Sequence, residues 1–280
     1  MLNEKTIGFI GAGSMAEAMV SGIVASDIVP AENVIVSNRS NENRLNELQG
    51  KYGVLGVAKD NLPFEDLDII VLAMKPKDID HALSFLKDKI KPHQLLLSVL
   101  AGISTNYMEE GLLGNQPVIR VMPNTSSMIG ESATAISTGT HVGMAHVMDA
   151  QAILSTIGKV YTIEEEQMDV FTGVAGSGPA YFYYLMEHME KTANEAGLDE
   201  NVTRDVIAQT ILGAAKMLLT NHEEPESLRK KVTSPNGTTA AGLEALRENG
   251  GGKAISAAIK GATQRSKEIS TENEKVLVLS

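Results

Sequence analysis

Along its first 160 or so residues the chain alternates short, uninterrupted apolar runs with segments whose apolar residues recur at three- and four-residue spacing. The runs TIGFI (6–10), NVIVS (33–37), LDIIVLA (67–73), QLLLSV (94–99) and PVIRVM (117–122) are bounded by Gly, Pro or polar residues. Continuous runs of that length fit strands covered on both faces, as in a parallel sheet. Residues 15–25 and 41–49 fit helices between them, so a doubly wound sheet with right-handed crossovers is the economical topology. SATAIS (132–137) and GKVYTI (158–163) flank a helical pattern over 146–156 and should extend the same sheet. From about Glu164 the β-branched runs nearly vanish, and 181–196, 202–220, 239–249 and 253–270 carry helical periodicity. The pattern therefore predicts an α/β domain over residues 1–163 followed by an all-helical one over 164–280, with TENEKVLVLS as a short appendage.

Small residues gather in GVAGSGPA (173–180) and LGAAKM (212–217), where they permit close helix approach, as core packing or as an interface between chains. The chain has 280 residues, 43% hydrophobic, enough to bury a core in each part. Its formal charge of −11 repels nucleic acid and anionic membrane surfaces, and no basic block offsets it. The absence of cysteine excludes a disulfide framework and a thiol nucleophile, and the six histidines show no metal-ligand spacing, so no metal is expected. No charged leader precedes the first strand and apolar runs stay near six residues, about a third of a membrane span, so a cytoplasmic protein is expected.

The first strand runs into IGFIGAGSMAEAM, with Gly11, Gly13 and Ala16 in a G-x-G-x-x-A arrangement that opens a helix. Gly11 suits the tight turn, Gly13 lets backbone approach a pyrophosphate, and Ala16 lets helix and strand pack closely. The helix start supplies free N–H groups and the positive end of a dipole. At the first βα turn of a βαβ chain this is a dinucleotide-binding fingerprint of Rossmann type. The second strand ends VSNRS and lacks the acid that would take a ribose 2′-hydroxyl. Arg39 can instead meet a 2′-phosphate, with Ser37, Asn38 and Ser40 adding neutral hydrogen bonds, so NADP(H) is expected over NAD(H). Three later strand ends should open on the same crevice: LAMKPKD (Ala73, Met74, Lys75, Pro76), SVLAGIS (Ala101, Gly102) and RVMPNTS (Asn124). Lys75 is either a cofactor neighbour or an exposed lysine, and Asn124 either contacts the nicotinamide region or caps a turn.

No Tyr-x-x-x-Lys relay occurs in the helical half, which favours an electrophilic C=N substrate over a ketone that would need an oxyanion site. In VTSPNGTTAAGLEAL, Pro235, Asn236 and Gly237 form a turn, and the N–H groups of Gly237, Thr238 and Thr239 stand at a helix start suited to a carboxylate. The competing interpretation is a plain threonine N-cap.

GFIGAGSMAEAM, LAMKPKDI, RVMPNTSSMIGESATAIS, TGVAGSGPAYFYYLMEHM, GAAKML and above all VTSPNGTTAAGLEAL resemble the pyrroline-5-carboxylate reductases, in order from about residue 6 to 270. The resemblance implies NAD(P)H-dependent reduction of 1-pyrroline-5-carboxylate to L-proline; with Arg39 at the end of the second strand, NADPH is the expected donor and NADH a weaker one. It also implies a helical C-terminal domain that interlocks into a homodimer, assembled in some members into a decamer. By motif, Gly11, Ala12, Gly13, Ser14 and Met15 match the pyrophosphate loop, and Asn38 and Arg39 the adenosine-phosphate stretch. Asn61 matches an adenine-side contact, Lys75 and Pro76 the cofactor-side KP, and Ala101 with Gly102 the nicotinamide-ribose AG. Glu165 resembles an acid near the substrate. Gly237, Thr238 and Thr239 resemble the carboxylate loop, with the Thr239 hydroxyl on the ring nitrogen as the catalytic contact. Asn236 departs from a first glycine, and Lys231 from an asparagine in some members; a lysine there could reach a phosphate. Two other functions fit the domain plan: a β-hydroxyacid-type dehydrogenase, which would need a lysine such as Lys191 or Lys216 as base, and a non-catalytic NADPH sensor.

Overall fold

The computed structural model describes residues 2–278, with side chains as far as Asn273. Its strands are β1 (Ile7–Ile10), β2 (Val34–Asn38), β3 (Leu55–Ala58), β4 (Ile69–Leu72), β5 (Leu95–Ser98), β6 (Val118–Met122), β7 (Ser132–Thr138) and β8 (Gly158–Thr162). They form one sheet in the order β3-β2-β1-β4-β5-β6-β7-β8. Pairing from β3 through β6 is parallel, with Ile7 facing Val34 on one side and Ile69 on the other. β7 then runs antiparallel to β6, a reversal the run pattern does not announce, and β8 is parallel to β7.

Alternation along the central strands divides their side chains between two cores, as the two-residue period of a strand requires. Ile69 and Val71 pack with Phe9 and Leu97 under α1 (Ser14–Ser26) and α5 (Met144–Ser155). Ile70 and Leu72 pack with Ile10 and Leu96 on the opposite face, under α3 (Ile79–Leu86) and α4 (Thr105–Gly111). Because β1, β4 and β5 are buried at every position, they read as continuous apolar runs. α2 (Glu42–Tyr52) follows β2 and is capped by Asn41, whose Oδ1 accepts from the Arg44 N–H at 3.1 Å.

The order reverses direction at β1. The chain steps outward from β1 to β2 and β3, then returns to β4 on the other side, so the connections leaving β1 and β4 go to opposite faces of the sheet and leave a crevice at their carboxyl ends.

Beyond β8 the structure is helical: α6 (Met168–Phe171), α7 (Gly178–Glu195), α8 (Glu200–Asn221), α9 (Pro225–Lys231), α10 (Thr238–Glu248) and α11 (Gly251–Val278). The small residues of GVAGSG form a π-helical turn over Thr172–Gly176. A Cβ on Gly176 would lie 3.1 Å from Met122 Cε, so small size there permits approach to the end of β6. The stretch 271–278, expected as an appendage, is the end of α11; Leu279 and Ser280 lie outside the described residues.

By internal contacts the chain forms two compact units, Met1–Ser177 with Gly261–Ser280, and Gly178–Lys260. Within the second, Arg204 of α8 pairs with Glu190 of α7 at 2.5 Å and with Glu200 at 3.1 Å. The same two helices leave Phe182, Tyr183, Tyr184, Val206, Met217 and Leu219 exposed in the single chain. An apolar surface of that extent marks an association face. No helix among the described residues is long and apolar enough to cross a membrane.

The last sheet pairing depends on Gly158, which opens β8 with φ +144, where an added Cβ would sit 2.1 Å from the Ser132 carbonyl oxygen. Gly158→Ala should destabilise the first unit by roughly 1–3 kcal/mol from the backbone conformation alone. A urea midpoint equal to wild type would refute that placement of β8.

Candidate active site

The crevice is built first by a glycine that has no room for a side chain. Gly11 follows β1 with φ +116, and its N–H donates to the Ser37 carbonyl of β2 at 3.0 Å. A Cβ on it would fall 2.5 Å from the Ala73 carbonyl oxygen at the end of β4. One residue thus draws three strand ends together. Gly13 is the N-cap of α1 and offers no side-chain acceptor to the first turn. A Cβ there would meet nothing within 4 Å, so the glycine opens onto free space. Ala16, fully buried, is the close-packing position.

Around these residues lies a cleft of about 550 Å3 lined by residues 11–15, 37–40 and 73–75, with Lys59, Lys77 and His81. Its size and its loop suit a phosphate-bearing nucleotide moiety. The cleft brings together Gly11, Ala12, Gly13, Ser14, Met15, Asn38, Arg39, Ala73, Met74 and Lys75. Pro76 starts the adjoining 3-10 turn at its first position, as expected.

Arg39 is exposed in the cleft with no carboxylate partner among the described residues. Every other arginine has one: Arg44, Arg120, Arg204, Arg229, Arg247 and Arg265. Lys59 joins it, with Nζ 4.2 Å from the Phe85 ring centroid. Burial pushes the Lys59 ammonium pKa down, and the Arg39 charge adds to that against the pull of Asp60. Neither cation is in an ion pair among the described residues, although Asp60 and Asp78 lie near Lys59, so the two can meet a multiply charged group. Ser37 plays a smaller part than expected, because its buried hydroxyl donates to the Phe9 carbonyl at 2.8 Å.

Several expected contacts fall elsewhere. Asn61 is exposed in the Lys59–Asn61 3-10 turn and does not line the cleft; at three residues per turn, Lys59 and Asn61 point different ways. Asn124 has both ends of its amide engaged: Oδ1 accepts from the Ser126 N–H at 3.0 Å and Nδ2 donates to the Ala175 carbonyl at 3.0 Å. It is the cap of a turn and a tie to the π-helical segment. Ala101 and Gly102 form the turn after β5 outside this cleft, Gly102 at φ +72 with Ile269 and Ser270 of α11 against it. Glu165 is held within its own unit, accepting from the Thr105 N–H at 3.0 Å, the Thr105 hydroxyl at 2.5 Å and Arg120 at 3.1 Å.

A group the sequence did not single out backs the glycine loop. Glu17 of α1 is buried and accepts from Arg44, from Lys51 Nζ at 2.9 Å and from the Tyr52 hydroxyl at 2.9 Å. Arg44 also donates through Nε to the Ala12 carbonyl at 3.0 Å. The Arg44 guanidinium, then Lys51, hold the Glu17 carboxyl down to about 2 from an ordinary 4.5.

The second unit carries a helix start of the same kind. Asn236 adopts the left-handed conformation at φ +58. The Gly237 N–H donates to the Ser234 carbonyl at 3.1 Å and is spent in the turn. Gly237 itself is the N-cap of α10 and has no side-chain cap, so the threonine-cap interpretation does not hold. Thr238 and Thr239 are the first two helical residues, exposed, with N–H groups and hydroxyls unengaged among the described residues. Lys231 is bound to Glu223 at 2.6 and 2.8 Å rather than free for a phosphate.

Residues 165–269 match the family described as pyrroline-5-carboxylate reductase dimerisation, and residues 6–102 match that described as NADP oxidoreductase coenzyme F420-dependent. Pyrroline-5-carboxylate reductase 1 of Bacillus subtilis is 60% identical over 275 residues, covering 98% of this chain and 93% of that protein. The chain belongs to the pyrroline-5-carboxylate reductase family. Among solved structures, the Coxiella burnetii pyrroline-5-carboxylate reductase aligns with a TM-score of 0.89 at 31% identity over 96% of this chain and 99% of that one. The Plasmodium falciparum pyrroline carboxylate reductase, solved with NADP bound, aligns with a TM-score of 0.86 at 26% identity over 96% and 100%. Membership of this reductase family displaces the β-hydroxyacid dehydrogenase and sensor alternatives, and the matched dimerisation family accords with the exposed apolar faces of α7 and α8.

The Glu17 cluster gives a pH signature. A carboxylate whose folded pKa is depressed contributes stability that is full above about 4.5 and is lost as pH falls toward about 2. Between those limits the wild type should lose urea resistance faster than Glu17→Gln; parallel curves would show that the cluster does not hold Glu17 ionised.

Proposed function

We propose that the chain reduces the C=N bond of 1-pyrroline-5-carboxylate to give L-proline, taking the hydride from NADPH and less well from NADH. The observation that carries this reading is the presence of both a dinucleotide cleft holding Arg39 and Lys59 and free N–H donors at Thr238 and Thr239, in a chain 60% identical to a pyrroline-5-carboxylate reductase. The fit to a dinucleotide rests on the tight turn at Gly11 and the open surface at Gly13, where a Cβ would meet nothing within 4 Å.

The nicotinamide, when bound, supplies a hydride to the ring carbon of the imine. The chain's own residues bind and orient. Residues 11–15 take the pyrophosphate through backbone N–H groups, and Arg39 with Lys59 takes the 2′-phosphate. Lys75 flanks the cofactor, and Ala101 with Gly102 lies on its nicotinamide-ribose side. The N–H groups of Thr238 and Thr239 donate to the substrate carboxylate. The Thr239 hydroxyl accepts from the protonated ring nitrogen, which keeps the iminium charge that draws the hydride. After transfer that nitrogen is an amine, so no oxyanion forms and no strong acid is needed at the reacting carbon. Glu165, fixed by Thr105 and Arg120, acts on this site through the geometry it holds.

In this reading residues 1–163 serve cofactor binding and 164–280 serve substrate binding and pairing into a homodimer. Light scattering should report two chains of 29.9 kDa, or ten for a pentamer of such pairs. A cysteine-free reductase that draws on NADPH suits the cytoplasm.

The deciding assay follows NADPH absorbance with 1-pyrroline-5-carboxylate and, in parallel, with small 2- and 3-oxo acids; turnover confined to the oxo acids would overturn the assignment. Arg39→Asp should cut the preference for NADPH over NADH at least tenfold in kcat/KM, and an unchanged ratio would remove Arg39 from the 2′-phosphate site. Thr239→Ala, losing one charge-assisted hydrogen bond of about 1.5–3 kcal/mol, should lower kcat/KM tenfold or more. Wild-type kinetics in that variant would falsify the role of Thr239.

A further inference from the structure

The glycine loop is braced from behind by a residue that never enters the cleft. Arg44 donates through Nε to the Ala12 carbonyl at 3.0 Å, while its other nitrogens pair with Glu17 and, at 2.9 Å, with Glu47. Glu17 is in turn fixed by Lys51 and Tyr52 from the end of α2. In a trans peptide the C=O and the following N–H point to opposite sides, and the described residues contain no cis bond. With the Ala12 carbonyl turned to Arg44, the Gly13 N–H is turned away from α2, toward the cleft that Gly13 lines. That N–H has no partner among the described residues. A free donor at a solvent-open cap, aimed by a half-buried guanidinium, is a prepared contact for an anionic oxygen.

We propose that Arg44 is a positioning residue for the dinucleotide: by holding the Ala12 carbonyl it aims the Gly13 N–H at the pyrophosphate. This rests on the dinucleotide reading of the cleft. Arg44 acts through the peptide and not as a field on the phosphates, since Glu17 and Glu47 neutralise its charge. Its effect is therefore common to every ligand that carries the pyrophosphate, whereas Arg39 acts only on ligands that carry the 2′-phosphate.

The test is equilibrium titration calorimetry on the full chain with NADPH, NADH and ADP, for wild type, Arg44→Met and Arg39→Met, with steady-state kinetics alongside. Arg44→Met should raise Kd by roughly tenfold for all three ligands alike, the effect of one lost hydrogen bond to a charged donor, and leave kcat at saturating NADPH within about twofold. Arg39→Met should weaken NADPH alone. A loss in Arg44→Met confined to NADPH would make Arg44 a 2′-phosphate group and overturn the proposal. A lower Tm with unchanged Kd values would make the brace structural only, which also overturns it. Should Arg44→Met fail to fold, Glu17→Gln loosens the same brace and should raise the three Kd values by a common, smaller factor; unchanged values there would refute the proposal. If wild type binds none of the three ligands, it is the dinucleotide reading that fails.

Discussion

The contact on which the cofactor side depends is the approach of Gly11 to the Ala73 carbonyl, where a single added carbon would stand 2.5 Å from the oxygen. Because Gly11 accepts this and also donates to Ser37, the ends of β1, β2 and β4 are tied at the point where the strand order reverses. The crevice is a result of topology, and its narrowness a result of that glycine. Everything that lines it, from the open cap at Gly13 to Arg39 and Lys59, is positioned relative to those tied ends.

Two helices in separate units begin in the same way. α1 and α10 both start from a glycine cap with no side chain to satisfy the first turn. α2 and α8 instead recruit Asn41 and Asp199 for that task. A helix start left open keeps its N–H donors and its partial positive charge for an outside anion, and with glycine as the cap forgoes only about 0.3 kcal/mol relative to a side-chain cap. α3, α5 and α9 also begin without a side-chain cap, so the open start is distinctive at Gly13 because that residue lines the cleft.

The α/β alternation was legible because strands buried on both faces cannot interrupt their apolar run. β3 escaped notice: LGVA is a short edge strand with no fully buried residue, so burial left no mark on its composition. The reversal at β7 was equally invisible, since a strand's burial does not depend on its direction. In the site, local spacing marked the glycine loop, Arg39 and the 236–239 turn. It missed the Arg44 brace, whose partners lie 27 to 35 residues from Glu17 in sequence and meet only through packing. Spacing left Asn124 open between a ligand contact and a turn cap, because an amide beside a strand end serves either, and its hydrogen bonds here make it a cap.

Asn236 carries a meaning beyond its departure from glycine. At φ +58 it holds a backbone state that asparagine tolerates better than most side chains, at some steric cost. A glycine would reach that state without strain but would also sample far more of the alternatives before folding. With asparagine, fewer conformers are surrendered when the turn closes. The loop that presents Thr238 and Thr239 thus closes with less backbone entropy to lose at residue 236 than a glycine would carry, set against the steric cost of the left-handed state.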